Sequence, residues 1–245
     1  MTLADEMEFL RKYDASQFER PSVTADIVVF TIMDNDLKTL LIKRGQPPFA
    51  GYWALPGGFV KMDETIERAA GRELEEETGV EPSEVYLEQL YTFGDPKRDP
   101  RTRVITVAYF ALVVSSKIQP FVTGREGIKE VRWFSVHNLP DNIAFDHRKI
   151  IDYSLRRLKN KLEYTAVGLE LLPSAFTLTD LQNLYEAILN EKLDKRNFRK
   201  KVLSMGILQP TRRYKKGVHR PALLYMFKRA KSTSTFKSVK FEREP

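Results

Sequence analysis

The segment from Gly58 to Val80, GFVKMDETIERAAGRELEEETGV, constrains the fold more than any other part of the chain. Its apolar residues recur at helical spacing, Asp63 or Thr65 can act as the N-cap, and Gly79 can end the helix in the left-handed conformation. Three carboxylates at positions i, i+3 and i+4 then share one helical face. They repel one another unless a cation lies among them, and hard divalent cations take such oxygen ligands. These carboxylates are Glu73, Glu76 and Glu77.

An acidic run taken alone would indicate a solvated helix face, but the spacing here is more specific. The segment resembles the Nudix box, G-x5-E-x7-R-E-U-x-E-E-x-G-U with U aliphatic, and every fixed position is filled. The resemblance covers residues of roughly 20 to 160 and implies an α/β/α sandwich around a mixed sheet. The matching residues are Gly58, Glu64, Arg72, Glu73, Leu74, Glu76, Glu77, Gly79 and Val80.

The rest of this region fits an α/β domain. Runs rich in β-branched residues predict strands, and a late apolar pattern predicts a helix. Strands interleaved with helices indicate the α/β class. The predicted strands cover residues 23–33, 37–43, 84–93, 104–114 and 130–135, and the late helix covers residues 146–162.

The resemblance implies a hydrolase that depends on Mg²⁺ or Mn²⁺. Glu73, Glu76 and Glu77 carry over as metal ligands, Arg72 as the partner that orients Glu76, and Glu64 as a residue that steadies the loop and helix. A general base often comes from outside the box, and Glu126 is our candidate, with a solvated charge as the alternative. A divalent metal neutralises the charge that protects a pyrophosphate bridge and acidifies a water molecule.

Two further stretches are similar to the ADP-ribose branch of Nudix proteins. They are the loop GDPKRDPRTR, residues 94–103, and Ala144-Phe145-Asp146-His147, where His147 is predicted to cap the late helix. This similarity implies hydrolysis of ADP-ribose to AMP and ribose 5-phosphate. From composition alone, the loop either binds phosphate or carboxylate or is an exposed turn with solvated charges. The predicted substrate-binding residues are Arg44, Gly57, Gly58, Arg101 and Arg103.

Charge divides the chain unevenly. From Lys195 onward there are sixteen Lys and Arg residues against two acids, Glu242 and Glu244, which makes this segment +14. The remaining 24 basic and 31 acidic residues give the rest of the chain a net charge of −7. Such asymmetry indicates a separate module that binds a polyanion.

The order of elements after residue 172 is that of a winged helix-turn-helix. An apolar-periodic helix is followed by a basic helix that opens at Asp194, and then by a hairpin with a basic tip. The region resembles the C-terminal domain of the Nudix-related transcriptional regulators of NAD metabolism, which implies double-stranded DNA as a partner. A solvated basic surface is the alternative. The predicted DNA-binding residues are Lys195, Arg196, Asn197, Arg199, Lys200, Lys215 and Lys216.

These features predict a leader at 1–20, a Nudix domain at 21–163, a winged helix-turn-helix domain at 164–229 and a poorly ordered basic tail at 230–245. The chain contains no cysteine, which fits a cytoplasmic protein, and no apolar run approaches the ~20 residues of a membrane span. We expect a homodimer. Two functions remain open, a hydrolase whose winged domain serves dimerisation and a DNA-binding regulator that senses ADP-ribose. The undamaged box favours a protein that does both.

Overall fold

A seven-stranded mixed sheet lies at the centre of the first two-thirds of the chain. The structure is a computed structural model that describes residues 3–117, 127–215 and 221–228. The strand order is β3-β2-β1-β6-β5, with β4 paired to β1 and β7 paired to β2; β1 and β6 run parallel and the other pairs antiparallel. The strands are β1 (Ser22–Met33), β2 (Asp36–Arg44), β3 (Trp53–Ala54), β4 (Gly57–Phe59), β5 (Tyr86–Phe93), β6 (Val104–Leu112) and β7 (Ile128–Ser135).

Two helices cover the two faces of this sheet. Side chains alternate across a strand, so Ile27 and Val29 of β1 face one layer while Val28 and Phe30 face the other. The first layer is closed by α2 (Ile66–Thr78) and the second by α3 (His147–Leu162). The predicted α/β/α sandwich with a mixed sheet is therefore confirmed.

Several predicted boundaries move by a few residues. β5 begins at Tyr86 rather than at residue 84, because Pro82–Glu84 form a 3-10 turn. β6 ends at Leu112, and β7 begins at Ile128, two residues earlier than predicted. The leader contains helix α1 (Leu3–Lys12), and none of the residues of this helix is buried.

The last third contains two helices and a hairpin. These are α4 (Leu178–Leu189), α5 (Lys195–Ser204), β8 (Leu208–Lys215) and β9 (Ala222–Phe227), preceded by a 3-10 helix at Val167–Leu171. Thr177 and Asp180 form a reciprocal capping box at the start of α4. Phe176 pairs with Tyr225 through two backbone hydrogen bonds of 3.0 and 2.8 Å, which attach the hairpin to the entry of α4. This arrangement confirms the predicted winged helix-turn-helix.

One hydrophobic cluster joins the sheet to the winged helices. It runs from Phe30 of β1 through Ile150 of α3 to Leu184 of α4 and Phe198 of α5, all of them buried. Polar contacts reinforce it, since the amide of Asn183 donates to the Asn35 side chain at 3.1 Å and Lys159 donates to the Leu189 carbonyl at 3.1 Å. The predicted boundary at 163/164 therefore lies inside a continuous core and stays a prediction. Across the described residues, no helix has the length and apolarity to cross a membrane.

Candidate functional site

The box is organised by Arg72 at the centre of α2. Its guanidinium donates to Glu64 at 2.7 and 3.0 Å, to Glu73 at 2.6 Å and to Glu76 at 3.3 Å. Glu64 also accepts the Lys61 backbone N–H at 2.9 Å, and together these bonds lower the pKa of Glu64 to about 2. The pKa of Arg72 is raised, first by its bond to Glu64. Glu64 thus steadies the loop before the helix, as the resemblance implies.

Two buried carboxylates of α2 lie against the adjacent residues Gly57 and Gly58. Glu77 accepts the backbone N–H of Gly57 at 3.2 Å, and Glu73 lies so close to Gly58 that any side chain there would overlap its carboxylate. The helix itself is bounded by Thr65, whose hydroxyl accepts the Arg68 N–H at 3.2 Å, and by Gly79 at φ 67°. Of the two predicted N-caps, the structure uses Thr65.

The chemistry of the donor set fits a hard divalent cation, since three carboxylates lie on one helical face. Among the described residues, no three His, Asp or Glu side chains converge on one point that could hold a metal ion. Arg72 bonds to one oxygen of Glu73 and one oxygen of Glu76. The metal-ligand set therefore stays a prediction.

A cleft of about 200 Å³ lies beside the box and shares Gly57 and Gly58 with it. The Arg44 guanidinium lies 5.0 Å from the centre of the Phe145 ring, and burial, followed by repulsion from Arg101, lowers the pKa of Arg44. Arg101 lies 5.5 Å from the centre of the Phe59 ring and forms a two-point ion pair with Asp99 at 2.8 and 3.0 Å. Two cations and two aromatic rings suit an anionic ligand that carries a ring.

Arg98 belongs to a buried network under this cleft. Its guanidinium donates to Asp146 at 2.8 Å and to Asp26 at 3.2 Å. Burial opposes its charge, but the two carboxylates outweigh that effect and raise the pKa of Arg98. Arg98 is therefore not a solvated charge on an exposed turn, because it binds two carboxylates of the protein itself.

His147 closes the same network. Its Nδ1 accepts the backbone N–H of Leu55 at 2.8 Å, and its Nε2 lies 3.7 Å from Asp26. Complete burial lowers the pKa of His147, so the ring is neutral with its proton on Nε2. The predicted helix-capping role is wrong, because Asp146 is the N-cap residue and the His147 side chain bonds to Leu55, the residue that follows β3.

A second candidate surface lies on α5. Asp194 caps this helix by accepting the Asn197 N–H at 2.7 Å, and Phe198 packs edge-on against Tyr185 of α4 with ring centres 5.4 Å apart. This packing turns Lys195, Arg196, Asn197 and Lys200 to solvent. Leu203, near the end of the same helix, is 47% exposed.

Two predicted DNA contacts lie in more restrained positions. Arg199 is half-buried and donates to Thr179 at 3.2 Å, while its Nε has no hydrogen-bond partner among the described residues. Lys215 is the last residue of β8, opposite Ala222, with its ammonium 3.2 Å from Asp180. Lys216 lies outside the described residues.

Comparison with known proteins decides the family. The NUDIX domain family matches residues 23–153, and the NrtR DNA-binding winged helix domain family matches residues 168–227. The chain is 38% identical to the ADPR responsive transcriptional repressor NtrR of Acinetobacter baylyi, over 93% of this chain and 90% of that protein. The chain belongs to the NrtR family of Nudix proteins.

Two further proteins are similar to this NrtR-family chain. The crystal structure of Shewanella oneidensis NrtR complexed with a 27mer DNA superposes with a TM-score of 0.77 at 34% identity, over 89% of this chain and 99% of that one. An ADP-ribose pyrophosphatase of Methanocaldococcus jannaschii is 39% identical over 60% of this chain and 82% of its own length. Hydrolases of the Nudix family generally use divalent metal ions.

Not all predicted residues of this NrtR-family site come together. Of the predicted substrate-binding residues, Arg44, Gly57, Gly58 and Arg101 line the cleft. Arg103 is exposed just before β6 and is absent from the described residues that line it. Glu126, the candidate general base, lies outside the described residues.

Sequence reasoning missed the residues that shape the cleft floor. Asp26 and Phe59 carried no signal, because a single aspartate in a strand and a single phenylalanine after a glycine pair are unremarkable alone. Phe145 lay within the AFDH match and combines a positive φ of 54° with two arginine contacts. A phenylalanine in that conformation is rare, but φ cannot be read from sequence.

Proposed function

We propose that this chain binds ADP-ribose in the cleft beside the box, hydrolyses it with a divalent metal ion, and binds double-stranded DNA through α5 and the hairpin. The observation that carries the proposal is that one chain joins a cationic, aromatic cleft, a complete set of box carboxylates and an exposed basic helix. The relatives named above support each part, since one is described as ADPR responsive, one as an ADP-ribose pyrophosphatase and one is bound to DNA.

The cleft supplies what a dinucleotide-like ligand requires. Arg44 and Arg101 offer positive charge to the diphosphate, and Phe59 and Phe145 offer ring faces to a base. Gly57 and Gly58 allow the diphosphate to approach the backbone beside Glu73 and Glu77. Hydrolysis adds water to one phosphorus and breaks the bridging P–O bond, which yields AMP and ribose 5-phosphate.

The divalent cation, Mg²⁺ or Mn²⁺, supplies neutralisation of the diphosphate charge and acidification of water when it is bound. Glu73, Glu76 and Glu77 would hold it, and Arg72 would set the orientation of Glu73 and Glu76. Glu126 stays our candidate for the base that removes a proton from water.

The decisive test of hydrolysis compares Glu77→Gln with Glu75→Gln. Both changes remove one charge from α2, but Glu75 is exposed whereas Glu77 is buried against Gly57. We expect AMP release with Mg²⁺ to fall at least about 100-fold in the first variant, because transition-state charge is no longer balanced, and to stay near wild type in the second. Equal loss in both variants, or none in Glu77→Gln, would contradict the metal assignment.

The test of DNA binding measures the affinity of the full chain for a duplex selected from a random library. Affinity should fall steeply with salt, since each neutralised phosphate releases counterions. Addition of ADP-ribose should change that affinity, because a ligand shifts a binding equilibrium only if it binds the two forms differently. If the chain binds no duplex better than random DNA, the DNA-binding part of the proposal is wrong and only the hydrolase part remains.

A second candidate is a repressor that senses ADP-ribose without turning it over. It is favoured by the 38% identity to a protein described as a repressor over 90% of that protein's length. Binding of ADP-ribose with no AMP released, in Mg²⁺ or in Mn²⁺, would establish this alternative.

A further inference from the structure

Strand β3 is hydrogen-bonded to the chain segment that precedes α3. Trp53 forms a parallel bridge with Ile143, with N–H···O bonds of 2.9 Å to Asn142 and 2.7 Å from Ala144. A regular parallel ladder would continue with the Leu55 N–H donating to the Ala144 carbonyl. That carbonyl instead accepts the His147 N–H at 3.3 Å.

The ladder is interrupted because the chain turns sharply at Phe145, where φ is 54°. The imidazole of His147 then takes the place of the missing backbone acceptor, with Nδ1 2.8 Å from the Leu55 nitrogen. A side chain therefore provides the last rung of this ladder. Without it, the buried Leu55 N–H would lose this acceptor, which destabilises the folded state.

The bond between Leu55 and His147 lies two residues before Gly57, whose N–H holds the Glu77 carboxylate. After Leu55, the Pro56 carbonyl accepts the Ile27 N–H at 2.8 Å, and the Gly57 N–H donates to Glu77 at 3.2 Å. Gly57 also pairs with Asp26 in the ladder between β1 and β4. The direction of the Gly57 N–H thus depends on a short turn fixed at one end by β1 and at the other by His147.

The ring itself cannot turn freely. Its Nε2 edge faces Asp26, which pairs with Arg98, and Arg98 pairs with Asp146, the residue that precedes His147. The side chains of Asp26, Arg98 and His147 are all less than a tenth exposed. Moving the ring would take its acceptor away from the Leu55 N–H, and Leu55 is buried.

We infer that His147 is a positioning residue for Glu77, which it controls by holding Leu55 so that the Gly57 N–H points at the Glu77 carboxylate. The inference rests on the proposed function in that Glu77 serves hydrolysis. Loss of an outer residue that orients a metal-ligating group typically lowers metal affinity or activity about 10–100-fold.

The test compares His147→Asn with His147→Gln. The asparagine amide oxygen falls near the position of Nδ1 and can accept the Leu55 N–H, whereas the glutamine amide lies one methylene too far. With the folded full chain, we expect His147→Gln to lower kcat for ADP-ribose about 10–100-fold while KM changes little, because Glu77 is misdirected but the cleft is intact. His147→Asn should restore most of kcat.

Amide hydrogen exchange gives a second readout that is independent of turnover. The Leu55 and Gly57 amides should exchange faster in His147→Gln than in wild type and stay protected in His147→Asn. Mn²⁺ affinity, measured with the metal alone, should fall about 10–100-fold in the glutamine variant only. If His147→Gln does not fold, His147→Leu replaces it.

The outcomes separate this inference from the proposed function. If wild type releases no AMP but the Gln variant weakens Mn²⁺ binding and the Asn variant does not, hydrolysis fails and the positioning role stands. Unchanged Mn²⁺ affinity and unchanged Leu55 exchange in His147→Gln would overturn the positioning role, even in an active enzyme. Equal losses in kcat for both variants would overturn it as well.

Discussion

The guanidinium of Arg72 joins the loop that follows β4 to the helix that follows it. It contacts Glu64 before α2 and Glu73 and Glu76 within α2, and it donates to the Phe59 carbonyl at 3.3 Å. A planar guanidinium can hold several acceptors at once in a fixed arrangement, which lysine cannot do. Arg72 therefore fixes where the loop stands relative to the carboxylates.

The Glu64→Gln variant tests this junction through its pH dependence. Arg72 lowers the pKa of Glu64 from its ordinary 4.5 to about 2, so the folded state binds the proton less readily than the unfolded chain. The stabilisation is complete above about pH 4.5 and is lost as the pH falls toward 2. We expect Glu64→Gln to lower the urea midpoint at pH 6, and the difference from wild type to shrink by pH 3.

Asp63→Asn is the matched control, since Asp63 is the exposed neighbour of Glu64. Its urea midpoint should follow that of wild type at both pH values. A Glu64→Gln difference that stays constant from pH 6 to pH 3 would show that the stabilisation does not depend on the charge of Glu64.

At this scale, sequence predicts residues whose partners are near in the chain. The box residues could be named because Glu64, Arg72 and Glu77 lie within one loop and one helix, where spacing sets geometry. The Arg98 network could not be named, because its partners Asp26 and Asp146 are 72 and 48 residues away. Only the folded sheet brings such groups together.

At the scale of secondary structure, the placement of α5 follows from its packing against α4. Phe198 and Val202 are buried, and the turn before them is tied down by Gln182, whose amide donates to the Leu193 carbonyl at 2.9 Å. Glu186 accepts the Leu193 N–H at 3.2 Å. These bonds fix the angle between the two helices and leave the N-terminal half of α5 exposed, as in helices that enter the major groove.

The Arg196→Ala variant tests whether α5 reads bases. Arg196 is exposed in the first turn of α5, and in a helix-turn-helix such residues reach base edges. We expect the variant to lose about 1–3 kcal/mol of discrimination at one base pair of a selected duplex. Competition between the selected duplex and single-base variants measures this loss.

Lys12→Ala serves as the control because it also removes one positive charge, from exposed α1. It should leave the ranking of the duplexes unchanged. If Arg196→Ala weakens binding to all duplexes equally, Arg196 contacts phosphate rather than bases.

Local signals predicted these elements well where caps and periodicity agree. Asp194 opens α5 as expected, and the hydroxyl of Thr177 caps α4. The ion pair between Lys215 and Asp180 had no local signal, because it joins residues 35 positions apart.

At the scale of the whole molecule, the two halves share one core. Leu184 of α4 is fully buried in the same cluster as Phe30 of β1 and Ile150 of α3. A core common to both halves couples their stability, because a cavity opened in either half weakens contacts in the other.

The Leu184→Ala variant tests this coupling with a probe in the opposite half. Both tryptophans, Trp53 and Trp133, lie in the sheet, so their fluorescence reports on the Nudix half alone. We expect the change to cost about 2–5 kcal/mol and to lower the fluorescence melting temperature by roughly 5–20 °C. Circular dichroism should melt at the same temperature.

Leu203→Ala, a change at the half-exposed leucine of α5, should alter stability by no more than about 0.5 kcal/mol. A Leu184→Ala protein whose helical signal melts early while its tryptophan transition stays at the wild-type temperature would show that the halves unfold independently.

The shared cluster also limits how such a protein can evolve. A descendant that discarded α4 and α5 would uncover the face of the shared cluster that Leu184 and Phe198 now cover. Single substitutions on that face would weaken the intact ancestor before they helped the shortened form. Natural selection would therefore tend to pass on the nucleotide cleft and the basic helix together, even in lineages that need only one of them.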